Sequence, residues 1–173
     1  MSRFISLVSF LLLIFIAFKS NAQKCDYDYK AKNPTTHLPI YRIDHELETY
    51  FTIRYHRDGE SYELELALNY IGEKDGIVMP GDTLTLSLND DNNTEIDLPA
   101  LDKVSPIHKK VSGEILSYYT IRYGITEEMM TKLGEAGFKE LNADIGDEDL
   151  KYEIAKKKEI KKLSESAVCM IQD

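Results

Sequence analysis

The sequence predicts a mainly β fold: an antiparallel β-sandwich or partly open barrel, with one short helix and a C-terminal amphipathic helix. Three observations carry this. Two stretches, Glu46–Tyr70 and Thr83–Leu98, alternate apolar and polar residues on both sides of short turn sequences, the period-two pattern of half-buried strands. Only from Lys156 onward does a run of apolar residues fall at helical spacing, at Ile160, Leu163, Ala167 and Ile171. No long Gly-, Ser- or Pro-rich linker interrupts the chain, so everything after the N-terminal leader reads as a single domain.

The leader comes first in the chain. Arg3 precedes the apolar run "FISLVSFLLLIFIAF", and "KSNAQ" follows with small and polar residues. This is the layout of a secretory signal peptide, which assigns residues 1–23 to the signal and 24–173 to the folded domain. The run is short of the roughly 18 residues that a spanning helix needs, so no integral span is expected once the signal is removed. Lys24 stands immediately before Cys25, where lipoprotein signals place a small residue, so a lipid anchor on that cysteine is not expected. The expected location is periplasmic or extracellular. Loss of residues 1–23 removes Arg3 and Lys19 and no acid, taking the net charge from −9 to −11. A body this acidic is unsuited to nucleic acid.

In "ELETYFTIRYHRDGESYELELALNY" the Asp58-Gly59 pair predicts a two-residue hairpin. Folding there sets Arg57 against Glu60, Tyr55 against Tyr62, Arg54 against Glu63, Ile53 against Leu64 and Phe51 against Leu66. The inner face is then Leu47, Phe51, Ile53, Tyr55, Tyr62, Leu64, Leu66 and Leu68. Glu46, Glu48, Tyr50, Arg54, Glu63 and Glu65 face solvent. A one-residue slip would turn charges into the core.

The next hairpin joins "TLTLSL" to "TEIDL", with Leu88 expected opposite Ile96 and Leu86 opposite Leu98, and Asp91, Asn92 and Asn93 at the tip. Asn93 suits the left-handed residue such a loop needs. A calcium loop starting at Asn89 fails, because Thr94 stands where glycine is required and Ala100 where a bidentate Glu should be. Asn92-Asn93-Thr94 fits the glycan acceptor triplet, but the triplet is too common to outweigh the turn reading.

"GEILSYYTIRYGI" reads as a strand with Ile115, Tyr119, Ile121 and Tyr123 inward and Leu116, Tyr118, Thr120 and Arg122 outward. Thr126 then opens the short helix as N-cap, with Glu127 and Glu128 in its first turn, Ile125 and Met130 as a hydrophobic staple, and Gly134 or Gly137 as its stop. Leu141, Ala143 and Ile145, and then Leu150, Tyr152 and Ile154, alternate around "GDED" as two more strands. The final helix spans about 156–171, and the lysines of "KKKEIKK" form its solvated face.

Catalytic and metal motifs are missing from the sequence. It holds no Gly-x-Ser-x-Gly, His-Glu-x-x-His or phosphate loop, and His37, His45, His56 and His108 are scattered. No catalytic residue, metal ligand or cofactor is assigned, and the chain is read as non-enzymatic. The surface feature that stands out is a patch of Tyr50, Arg54, Glu63, Glu65, Tyr118 and Arg122, all on outward positions, suited to stacking a sugar or contacting a protein. The only cysteines, Cys25 and Cys169, are expected to form one disulfide in an oxidising compartment. That bond would tie down the segment "KCDYDYKAKNPTTHLP", which reads as irregular.

"GDTLTLSL", "YYTIRYGITEEMMTKL" and the lysine-rich final helix together resemble small, uncharacterised proteins exported by Gram-negative bacteria. The resemblance covers about half the chain and implies export, with no known activity or site. The expected function is an exported envelope or secreted interaction module whose partner is an envelope protein or a glycan. The alternative is a carrier of a small apolar ligand in a calycin-like barrel, although the tryptophan of the lipocalin pattern is missing, as the chain has none.

Overall fold

Alternation along the chain becomes ten strands among the described residues: β1 Tyr27–Tyr29, β2 Thr35–Asp44, β3 Thr49–Asp58, β4 Ser61–Ile71, β5 Thr83–Leu88, β6 Glu95–Pro99, β7 Ile107–Val111, β8 Glu114–Ile125, β9 Phe138–Ile145 and β10 Glu148–Glu153. Two helices accompany them, α1 Glu127–Ala136 and α2 Lys157–Gln172. The structure is a computed structural model. It describes residues 27–29, 35–44, 49–58, 60–146 and 148–172, with side chains from 51 onward apart from 58 and 148. The expected signal peptide, Cys25 and Leu47 lie outside the described residues.

The strands form two antiparallel sheets, ordered β1-β2-β3-β4-β8-β7 and β10-β9-β5-β6. They face each other as a sandwich and do not close into a barrel. Their inner faces share one core, in which Phe51, Ile53, Leu64, Leu66, Leu68 and Ile121 from the first sheet meet Leu84, Leu86, Leu98, Leu141 and Ala143 from the second. Phe51 meets Tyr152 edge-on with ring centroids 5.0 Å apart. A backbone seam links the sheets where Ala100 bridges Tyr123 and the Leu101 N–H donates to Arg122 O at 2.9 Å.

Both predicted hairpins form, each in a register two residues from the expected one. In the first, Arg54 lies opposite Glu65 and Phe51 opposite Leu68, and the last pair is Asp58 with Ser61. In the second, Leu86 lies opposite Ile96 and Leu84 opposite Leu98. A shift of two keeps every side chain on its face, so alternation cannot distinguish these registers. Leu88 leaves the ladder after Ser87, where β5 slips against β9, and its N–H meets Thr94 O at 2.8 Å. Asn93 takes the positive φ expected of it, 50°. Asp90 Oδ1 accepts the Thr94 N–H at 2.9 Å, and the Thr94 side chain and backbone hold the Asp90 carboxyl below its usual range. The tip of that hairpin is therefore a self-capped turn.

The segment expected to be irregular, residues 24–39, contains β1 and the first half of β2, a correction to the sequence reading. β2 pairs along β3, because the edge of a half-buried strand carries backbone groups that need partners. Pro39 in "TTHLPIYRID" falls where the pairing register shifts between Leu38 and Tyr41, since proline has no N–H for the ladder. A second finding concerns Ile115, which keeps its inward parity on β8 but is 37% exposed rather than buried. The buried position on that part of β8 is filled by Ser117.

Thr126 caps α1, its Oγ1 accepting the Met129 N–H at 3.2 Å. The stop is Gly137, with φ at 64° and its N–H donating to Leu133 O at 2.8 Å. A Cβ there would lie 2.6 Å from Ile160 O, so both the cap and the contact with α2 require glycine. On α2 the buried stripe is Ile160, Leu163, Ala167 and Met170, with Cys169 buried beside it. Ile171 is only partly covered. Arg57 Nη1 donates to Met170 O at 2.9 Å, tying the helix end to β3.

Candidate functional site

The outer face of β3, β4 and β8 carries the predicted patch, and the pairing registers divide it. Arg54, Glu65 and Arg122 lie in one row across the three strands. Tyr50, Asn69 and Tyr118 lie in another, with Thr52, Ala67 and Thr120 between them. Arg54, Glu63, Glu65, Tyr118 and Arg122 thus share a face but form two groups, and the Tyr50 side chain lies outside the described residues.

The charged group is largely self-satisfied. Arg54 Nη1 contacts Glu65 Oε1 at 2.5 Å, and His56 Nε2 lies 3.4 Å from Glu65 Oε2. The partner of Arg54 is therefore Glu65, not Glu63, as the two-residue shift requires. Arg122 reaches Glu63 at 3.5 Å and also pairs with Asp102. Hydrogen bonding to His56, and then to Arg54, lowers the Glu65 carboxyl from its ordinary 4.5 to about 2 against the opposing effect of burial.

Tyr118 belongs to an aliphatic end of the same face. Ile107 lies opposite it on β7, Leu116 is two residues away on β8, and Ile71 lies opposite Leu116 on β4. Lys109 Nζ stands 5.3 Å from the Tyr118 ring centroid. β7 is the edge strand of the sheet and is exposed along its length. Of the six large apolar side chains exposed among the described residues, Ile107, Val111 and Ile115 sit on the β7–β8 hairpin.

On the inner side of this hairpin, the structure assembles a polar cluster that sequence reasoning missed. Glu73 and Asp75, in the connection after β4, come together with His108 of β7, one ligand-type atom from each lying within 4.8 Å of the others. His108 Nε2 is 3.8 Å from Asp75 Oδ1, and His108 Nδ1 is 3.1 Å from Ser117 Oγ. Ser117 has no exposure. Its hydroxyl donates to Gly72 O at 2.7 Å and accepts the Lys74 N–H at 3.0 Å. A buried hydroxyl with its proton committed to a carbonyl does not serve as a nucleophile, so Ser117, His108 and Asp75 do not form a hydrolytic triad.

The connection that carries the acids is held at several points. The Gly72 N–H donates to Ile115 O at 2.8 Å, the Tyr119 hydroxyl donates to Gly76 O at 3.1 Å, and Val78 and Val104 exchange backbone hydrogen bonds at 3.0 and 2.9 Å. Gly146, with φ at 70°, packs so closely that a Cβ would lie 2.7 Å from Gly76 Cα. A cleft lined by Tyr70, Glu73, Asp75, Gly76, Tyr119 and Ile145 opens beside the cluster. The one local signal for this site was Ser117, a polar residue at an inward position between Ile115 and Tyr119.

Cys169 is buried at 2% exposure on α2. Its expected partner Cys25 lies outside the described residues. No helix among the described residues is long and apolar enough to cross a membrane. Compared with known protein families, curated proteins and solved structures, the chain matches none of them.

Proposed function

We propose that the chain is exported and acts as a non-enzymatic interaction module, docking a protein partner on the β7 edge and the adjoining aliphatic end of the outer face. The observation that carries this reading is that Ile107 and Val111, both exposed, stand on the outward side of the edge strand beside Tyr118 and Leu116. An edge strand offers unpaired backbone groups to an extended segment of a partner, and exposed apolar side chains beside it add burial on contact. The charged half of the face is already paired internally and supports solubility more than recognition. The partner is a protein rather than a glycan, because the free surface is aliphatic. The carrier alternative draws no support from two sheets that stay open around a shared packed core.

The test uses chain 24–173 immobilised against an extract of the cell envelope, comparing wild type with two double variants. Ile107→Asp/Val111→Asp should lose a specific protein at least about tenfold, while Arg54→Ala/Arg122→Ala retains it. A protein held equally by all three, or none held by wild type, overturns the reading. Export is checked separately by fractionation and N-terminal sequencing: a mature terminus near Lys24 in the exported fraction is expected, and a full-length chain confined to the cytoplasm contradicts it.

A further inference from the structure

We propose that Glu73, Asp75 and His108 form a site for a divalent transition-metal cation of the zinc class, with water completing its coordination. The site is independent of the docking surface, since His108 points to the opposite side of β7 from Ile107.

The argument begins at Ser117. A hydroxyl has one proton to give, and that of Ser117 goes to Gly72 O at 2.7 Å. The 3.1 Å contact with His108 therefore takes its proton from Nδ1. In the neutral ring this leaves Nε2 unprotonated, with its lone pair on the side of Asp75. A buried partner that sets the imidazole tautomer and leaves the other nitrogen basic is the supporting interaction that metal-binding histidines use.

The spacing agrees. Nε2 and Asp75 Oδ1 are 3.8 Å apart, too far for a direct hydrogen bond. Ligand atoms around a tetrahedral cation with bonds near 2.0–2.1 Å stand roughly 3.3 Å from one another. The three ligand atoms lie within 4.8 Å of one another, and closing to that value takes rotation of the Glu73 and Asp75 side chains, both exposed. The backbone beneath needs no movement, because Gly72, Gly76 and Val78 are already hydrogen-bonded in place.

Two carboxylates and a neutral imidazole match the charge of a divalent ion. The imidazole nitrogen selects the transition-metal class over calcium, which prefers an all-oxygen shell. Lys74, the nearest cation in the connection, places its Nζ 5.7 Å from the Tyr70 ring centroid.

Calorimetric titration of chain 24–173 with zinc chloride tests the assignment, with calcium chloride as the second arm. One zinc site is expected, weakened at least tenfold in His108→Ala and in Glu73→Gln/Asp75→Asn, with no comparable calcium affinity. Long-range proton–nitrogen spectra of the histidines should show the Nδ1–H form of His108 before zinc and a displaced Nε2 resonance after it. All three residues are exposed, so the metal-free variants should melt with wild type. If His108→Ala fails to fold, the Glu73→Gln/Asp75→Asn variant and the wild-type spectra decide the matter. No zinc binding by the folded chain, binding that persists in the variants, or equal affinity for calcium overturns the proposal.

Discussion

Ile115 and Ile121 lie on the same strand and the same side of the sheet, yet Ile121 is completely buried and Ile115 is 37% exposed. Nothing in the local pattern distinguishes them. Ile121 belongs to the stretch of β8 covered by the second sheet, where Ala100 bridges Tyr123. Ile115 belongs to the β7–β8 hairpin, where every β7 residue is exposed. Parity assigns a side chain to a face of its sheet, whereas burial depends on what covers that face. The changeover falls at Ser117, whose hydroxyl binds the connection carrying Glu73 and Asp75.

The strongest test of this contrast is an aspartate at each kind of inward position. Leu64→Asp buries a carboxylate with no partner at a site of zero exposure, and the chain should lose its cooperative melting transition altogether. Ile115→Asp should cost no more than about 1 kcal/mol. A wild-type-like melt for Leu64→Asp, followed by circular dichroism, would refute the inner-face assignment, and unfolding by Ile115→Asp would refute the overhanging hairpin.

The second test concerns the closure of the covered region. Joining Cys25 to Cys169 would enclose about 145 residues and stabilise the fold by roughly 5 kcal/mol in the chain-entropy model, with native strain reducing that figure. Cys25→Ala should therefore lower stability by about 2–5 kcal/mol. Intact mass after thiol blocking without reductant should show a monomer two hydrogens lighter than the reduced chain; two blocked thiols would exclude the bond.

A smaller effect is expected on the outer face. The folded-state Glu65 carboxyl titrates at about 2 against an ordinary 4.5, so its contribution is complete above about 4.5 and is lost as pH falls toward 2. Solvent screening reduces that contribution to about 1 kcal/mol. Glu65→Gln should remove it at neutral pH and flatten the fall in melting temperature across that acid window. An unchanged slope would mean that His56 and Arg54 do not hold the carboxylate.

The smallest effect should follow Glu63→Gln. Its contact with Arg122 is 3.5 Å long, and Arg122 is also paired with Asp102. A change beyond about 0.5 kcal/mol in chemical denaturation would show that the pair contributes more than an exposed bridge normally does.

The candidate sites differ in how legible they were. The outward patch could be read from alternation alone, because each member sits at an outward parity on its own strand. Its division into a charged group and an aliphatic group could not, because that depends on which residues stand side by side across β3, β4 and β8. β7 also escaped the sequence reading: "IHKKV" carries exposed residues at all five positions, so it shows no burial period. The Glu73, Asp75 and His108 cluster joins the connection after β4 to an edge strand far along the chain, and no spacing rule connects them.

By itself, the sequence determined the mainly β class, the faces of the central strands, the Thr126 cap, the left-handed Asn93 and the amphipathic final helix. Each of these follows from steric and hydrogen-bonding preferences acting within a few residues, or from a side-chain period along one element. Tertiary structure alone decided the hairpin registers, the strand character of Thr35–Asp44, the exposure of Ile115 and the meeting of His108 with two distant carboxylates. A register shift of two preserves every local pattern, so only packing between the sheets and around the turns can select one. Coverage and convergence likewise depend on where other segments lie, which no single stretch of chain encodes.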